Sequence, residues 1–116
     1  MDDRFSRQLK KGMLEMLVLE LICQNPTYGY ELILQLKARS EGLFALKEGT
    51  LYPILYRLED EGMIRSGWTQ SEGREKPKKV YSATEAGREE NARQWEIWGQ
   101  FVKTTERFKG GTTDER

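Results

Sequence analysis

The most regular hydrophobic pattern in the chain lies in residues 47–64. Leu51, Ile54, Leu55 and Leu58 fall at i, i+3, i+4 and i+7, the single apolar stripe of a helix resting on a core. Between them the outer face carries Thr50, Tyr52, Pro53, Tyr56 and Arg57, side chains that hydrogen-bond, stack or touch thymine methyls. Proline lacks an N–H and clashes with the carbonyl four residues back, so Pro53 is expected in a first turn. Thr50 is then the expected N-cap, and Gly62 the expected stop, where a left-handed residue is easy. A short helix with this outer face, followed at once by a strand, has the form of a DNA-reading helix. Any surface helix has that form too.

The rest of the pattern supplies context. Residues 2–8 read as a polar arm, and residues 8–23 as a helix with Leu9, Met13, Leu14, Met16, Leu17, Val18, Leu19, Leu21 and Ile22. So many apolar positions cover more than one face, and a helix apolar nearly all round must be buried nearly all round. Asn25-Pro26-Thr27 breaks that helix. A second helix is expected over 28–38, with Gly29, Leu32, Ile33 and Leu36 on one face, then a turn at Ser40-Glu41-Gly42 and a brief strand at Phe44-Ala45-Leu46. After the helix at 47–64 the period changes to two. Ile64, Ser66 and Trp68 alternate with Arg65, Gly67 and Thr69, and a second short strand at 78–82 completes a hairpin.

Ser82 and Glu85 have capping-box spacing, and no proline interrupts the stretch from Glu85 to Phe108. Such a helix is about 35 Å long at roughly 1.5 Å per residue, more than the width of so small a domain. Its apolar residues gather in the second half: Trp95, Trp98 and Val102 on one stripe, Trp98, Phe101 and Phe108 on an overlapping one. One chain of 116 residues has little left to cover them. The surplus surface of the first helix (Met13, Met16) and this stripe can satisfy one another across a two-fold axis, so a homodimer is expected. The expected layout is a winged helix-turn-helix domain over 1–83, a dimerisation helix over 84–109 and a disordered tail over 110–116. The fold class is mainly α with a small β-hairpin wing.

Composition narrows the chemistry. No stretch of about 18 uncharged apolar residues exists, so no membrane span is expected, and no N-terminal signal pattern is visible. Cys23 stands alone, which excludes an internal disulfide and fits a reducing, cytoplasmic home. There is no histidine, which removes the usual general base and most metal sites. Neither an enzyme nor a metal or other cofactor is expected.

Nineteen basic residues balance nineteen acidic ones, a total that argues against nucleic acid, yet phosphate contacts are local and screened beyond about 10 Å. Placement is therefore the better guide. Arg4, Arg7, Lys10 and Lys11 share one acid-free stretch, and Arg74, Lys76, Lys78 and Lys79 crowd the hairpin tip. The acids gather at Glu59-Asp60-Glu61 and along 85–96.

Helix, helix, helix, hairpin, long helix is the winged helix-turn-helix order. It would set Thr50, Tyr52, Tyr56 and Arg57 near base edges in a major groove, with the basic wing and arm on phosphates or in a minor groove. Two copies would read a rough palindrome with half-sites about 34 Å apart or a multiple of that.

Several stretches carry a resemblance. Lys11-Gly12, Leu14-Glu15, Leu17-Val18-Leu19, Tyr28-Gly29-Tyr30-Glu31-Leu32, Glu61-Gly62, Thr84-Glu85-Ala86-Gly87 and above all the run from Gly49 to Glu59 resemble the PadR family of transcriptional regulators, in order, over about residues 9–88. The resemblance implies a dimeric repressor near detoxification or efflux genes, released by small aromatic or cationic compounds. Pro53 on the outer face, Lys11 of the basic arm and Tyr28 are counted with the expected DNA contacts. Ending after one long helix, the chain looks like the short subgroup. In its multidrug-binding members a tryptophan on the last helix stacks flat ligands between subunits. Trp98 matches that position, with Trp95 a turn earlier and Phe101 beside it. Both tryptophans would equally serve as plain interface. The chain departs from the family at Ala83, where Leu is usual, and in its longer wing, Gly73 to Lys79. Two competing expectations are a winged helix that binds a protein partner and a metal or redox sensor on the same fold.

Overall fold

The computed structural model describes residues 4–70 and 73–110. The elements are α1 (Arg4–Gln24), β1 (Thr27–Tyr28), α2 (Gly29–Arg39), α3 (Glu48–Asp60), β2 (Ile64–Trp68), β3 (Lys79–Ala83) and α4 (Glu85–Glu106). The strands form one antiparallel sheet in the order β1-β3-β2. Val18, Leu19 and Ile22 of α1, Leu32 and Leu36 of α2, Leu51, Ile54, Leu55 and Leu58 of α3, and Phe44, Ile64 and Tyr81 make one buried cluster. The stripe read from residues 47–64 is thus the face by which α3 rests on the core.

Several boundaries differ from the sequence reading. Residues 4–8 are the first turns of α1, not an arm. Arg, Lys, Gln and Leu are good helix formers, and nothing before Gly12 interrupts them. Residues 44–46 form no strand. Phe44 instead drops into the core while its N–H donates to Ser40 Oγ at 2.8 Å, after a turn in which Glu41 and Gly42 both have positive φ. A strand missed by the pattern, β1, pairs Thr27 with Tyr81 and Tyr28 with Val80. Two residues are too few to show a period, so only the pairing reveals it.

α3 starts earlier than expected. Lys47, not Thr50, is the N-cap residue, with no side-chain cap bond, and the N–H groups of Thr50 and Leu51 both donate to the Lys47 carbonyl. Pro53 therefore lies past the first turn, inside the helix. The stop is as read. Gly62 has φ +77° and the Met63 N–H reaches back to the Leu58 carbonyl at 2.9 Å, the Schellman closure that favours glycine.

The long helix is capped by Thr84 and not by Ser82. Thr84 Oγ1 accepts from the Gly87 N–H at 3.0 Å and donates to the Gly62 carbonyl at 2.6 Å. One hydroxyl thereby joins the end of α3 to the start of α4. Gly87 is buried there, and the position requires glycine because a Cβ would run into the Met63 carbonyl. Arg88 Nη1 donates to the Cys23 carbonyl at 3.0 Å, satisfying one of α1's terminal carbonyls. α4 then runs along α1, Trp95 Nε1 reaching Glu20, and its far end extends past the core in a molecule 67 × 34 × 20 Å in extent. Ile97, Phe101 and Val102 are exposed on it, as is Phe108, which follows the helix in a turn. The tail expectation for 111–116 lies outside the described residues.

Candidate nucleic-acid interface

The outer face of α3 and the start of α1 meet along one groove of about 660 Å³, lined by Arg7, Lys10, Lys11, Lys47, Thr50 and Pro53, among others. Lys11, the eighth residue of α1 and far from α3 by chain position, lines the same groove as Thr50 only through the fold. Thr50, Pro53 and Tyr56 are exposed, Tyr56 at 57%. At the other edge stands the wing. Lys78 N–H donates to Thr69 Oγ1 and the Thr69 N–H to the Lys78 carbonyl, each at 2.8 Å, which closes the hairpin below an exposed Arg74 and Lys76. Lys78 Nζ lies 4.5 Å from the Tyr28 ring centroid and Lys79 Nζ 5.8 Å from that of Tyr81, so two wing cations rest on aromatic faces. A helix flanked by cations on both sides can place side chains at base edges and amines at phosphates.

Two expected contacts sit differently. Tyr52 packs partly buried against the core, over Gly29, whose missing Cβ leaves room for the phenol. Its ring is tilted 39° to that of Tyr56 at 6.2 Å, so Tyr56 is the tyrosine presented outward. Arg57 is turned back to α1, its Nη2 on Glu15 Oε1 at 2.9 Å and its Nε on Oε2 at 3.4 Å. The pattern gives neither Lys47 nor Trp68 a role at DNA. Lys47 lines the groove, and Trp68, expected on a half-buried strand face, is 69% exposed near the wing tip. Its neighbours Ser66, Gly67, Thr69 and Gln70 include no apolar residue large enough to extend the core, the one hint that the strand runs past it.

A second feature lies between α1 and α4, a cleft of about 420 Å³. Trp98, Phe101, Ile97 and Met13 line it with Glu15, Glu61 and Glu90. The Glu90 carboxyl is held below the usual range by hydrogen bonds from Arg93 and Gln94. Trp95 is not part of this cleft. Its Nε1 donates to Glu20 Oε1 at 2.8 Å, and it borders a separate cleft of about 360 Å³ over Leu17, Leu21, Leu36 and Phe44. Three residues of helix turn about 300°, so the two indoles straddle α1. Met16, expected on an interface, is already buried inside the protomer. Burial pushes the Cys23 thiol up, with Arg88 pulling partly back, the opposite of a reactive redox cysteine. Among the described residues no cluster of ligands could hold a metal ion, and no helix is long and apolar enough to cross a membrane.

Three helices, a β-hairpin wing and a cation-flanked outer face on α3 define a DNA-binding winged helix-turn-helix protein. Residues 18–93 match the transcriptional regulator PadR-like family, and the chain belongs to it. A transcriptional regulator of Mycobacterium tuberculosis is 32% identical over 82 residues, covering 71% of this chain and 72% of its own length. An uncharacterised protein of Lysinibacillus sphaericus is 31% identical over 87 residues, covering 73% and 80%. The crystal structure of a PadR-like transcriptional regulator from Bacillus cereus superposes with a TM-score of 0.77 at 31% identity, over 90% of this chain and 99% of that one. Proteins of this family regulate transcription and are not enzymes.

Proposed function

We propose that the chain is a homodimeric repressor that releases its operator when a cationic aromatic molecule enters the cleft beside Trp98. The observation that carries the reading is the unpaired half of α4. Phe101 is 63% exposed and Phe108 81%, beside the exposed Ile97 and Val102, an apolar surface of the kind that a second copy covers. On this reading residues 1–83 bind DNA and 84–109 dimerise. Two α3 helices then face successive major grooves, with Thr50, Tyr56 and Lys11 at the duplex and Arg74, Lys76, Lys78 and Lys79 on phosphates. The carboxylates around the cleft favour a cation, and its indole and phenyl rings favour a flat one. By the family resemblance, the regulated genes are those of detoxification or efflux.

Two measurements test this. Sedimentation at micromolar concentration should give a dimer that the double variant Trp98→Ala, Phe101→Ala shifts towards monomer or unfolded chain. Titration of a planar cationic dye should quench tryptophan fluorescence in the wild type and not in Trp98→Phe. A monomeric wild type, or quenching indifferent to Trp98, refutes the corresponding half of the reading.

A further inference from the structure

The Glu15 carboxylate belongs to two places at once. It lines the Trp98 cleft and also the basic groove along α3. There it accepts both Nη2 and Nε of Arg57, a residue 42 positions away on the outer part of the recognition helix. The Arg93–Glu90 pair, by contrast, stays within α4. The Arg57–Glu15 bond therefore ties the helix that would read DNA to the helix that walls the cleft. Both side chains are partly open to solvent, 51% and 32% exposed. A fork held at the surface exchanges partners far more readily than a buried one, because neither charge is stranded when it breaks.

We propose that Glu15 is the element coupling the cleft to the recognition helix: a cation seated beside Trp98 competes with Arg57 for this carboxylate and frees α3 from its anchor on α1. Glu15 carries one negative charge, so a second cation on the cleft side weakens the hold on the guanidinium. With the fork intact, α3 has a fixed attitude to α1, and through α1 to the second protomer's copy. With the fork loosened, the two recognition helices no longer hold a common spacing and the operator is bound less tightly. The coupling must be reciprocal, so operator binding must lower affinity for the cation by the same factor. One partly solvated pair supports a factor of about five, the low end of such couplings. The inference rests on the reading of the cleft as a site for cationic aromatics.

The probe is N-methylquinolinium, with neutral quinoline at pH 8 as its uncharged counterpart. Each is tested beforehand for binding to the duplex alone. Operator fragments selected by the wild-type protein from random duplexes report affinity by fluorescence anisotropy. Saturating N-methylquinolinium should weaken operator binding about fivefold in the wild type, and the operator should weaken probe binding equally. Quinoline should quench tryptophan without moving operator affinity. In Glu15→Gln, checked for an unchanged melting transition, the quinolinium should still quench while operator affinity moves less than about twofold. Arg57→Met should behave the same way if Glu15→Gln proves unstable. A fivefold effect persisting in these variants, or equal potency of neutral quinoline, overturns the coupling and leaves the ligand site standing. Absence of any quenching by quinolinium in the wild type removes the site and the coupling together.

Discussion

Replacing Gly87 with alanine tests how α4 is seated. Elsewhere in a helix this change stabilises, by about 1 kcal/mol, because alanine loses less backbone freedom. At Gly87 the added Cβ runs into the Met63 carbonyl. The obstacle is backbone, with no rotamer to yield, so the cost belongs at the top of the over-packing range, about 3 kcal/mol. The same carbonyl accepts the Thr84 N–H at 3.1 Å and lies 3.0 Å from the Thr84 hydroxyl. Shifting it disturbs the α4 cap as well, for roughly 1 kcal/mol more. Less the propensity gain, the net loss is about 3 kcal/mol. For a domain of this size that lowers the melting temperature by roughly 12 °C or more. The assay is thermal unfolding by circular dichroism at one fixed protomer concentration, since the transition of a dimer shifts with concentration. Gly49→Ala is the matched control. Nothing lies within 4 Å of a Cβ there, and the same substitution should raise stability by up to about 1 kcal/mol. A Gly87→Ala protein that melts at or above the wild-type temperature would falsify the seat of α4 on Met63.

Tyr81 is 1% exposed and its hydroxyl has no hydrogen-bond partner among the described residues, so Tyr81→Phe should be neutral or stabilising at pH 7, and a loss above about 1 kcal/mol would mean a missed partner. Burial, with Tyr52 and Glu59 nearby, pushes its pKa up to about 12. The folded state keeps this proton after the unfolded state has lost it near pH 10, so the stabilisation is complete below pH 10 and is lost as pH rises towards 12. Tyr81→Phe should flatten that alkaline decline in urea denaturation series; an unchanged slope would assign it to other groups. Tyr52→Ala should lower stability by about 2–4 kcal/mol by emptying the space over Gly29, whereas Tyr56→Ala should leave the melting temperature within a few degrees and change operator preference in a binding competition. Lys76→Ala should weaken binding to every duplex alike and reduce the slope of log affinity against log salt by about 0.9; an unchanged slope would remove Lys76 from the phosphate contacts.

What could be read from the chain follows from which forces are local. The buried stripe of α3 is a matter of one helix's own period, and Leu51, Ile54, Leu55 and Leu58 are buried as that period requires. Gly62 follows equally from a local need, a positive φ at a helix end. The apolar excess of α1 and α4 is likewise local, and it locates the half of α4 that the protomer leaves uncovered. Features set by a distant partner were invisible. β1 exists because β3 lies beside it. The period of its own helix gives Gly87 no role, because its reason is the Met63 carbonyl between α3 and β2.

The same distinction explains the two outer-face residues that sit differently. Periodicity places Tyr52 and Arg57 outside the Leu stripe and stops there, because it describes a helix in isolation. Which outer residues reach solvent depends on what stands next to each flank. On one flank is α2, whose Gly29 lacks the Cβ that would turn the Tyr52 phenol away. On the other is α1, whose Glu15 takes the Arg57 guanidinium. Both flanks of α3 are thus committed to neighbouring helices, and the free strip between them carries Thr50, Pro53 and Tyr56. A recognition surface this narrow has a mechanical consequence. Its base-facing residues can move only when one flank lets go, and the flank held by an exposed ion pair yields before the flank held by core packing. The Arg57–Glu15 side is therefore where a ligand could act on α3 without first unfolding the domain.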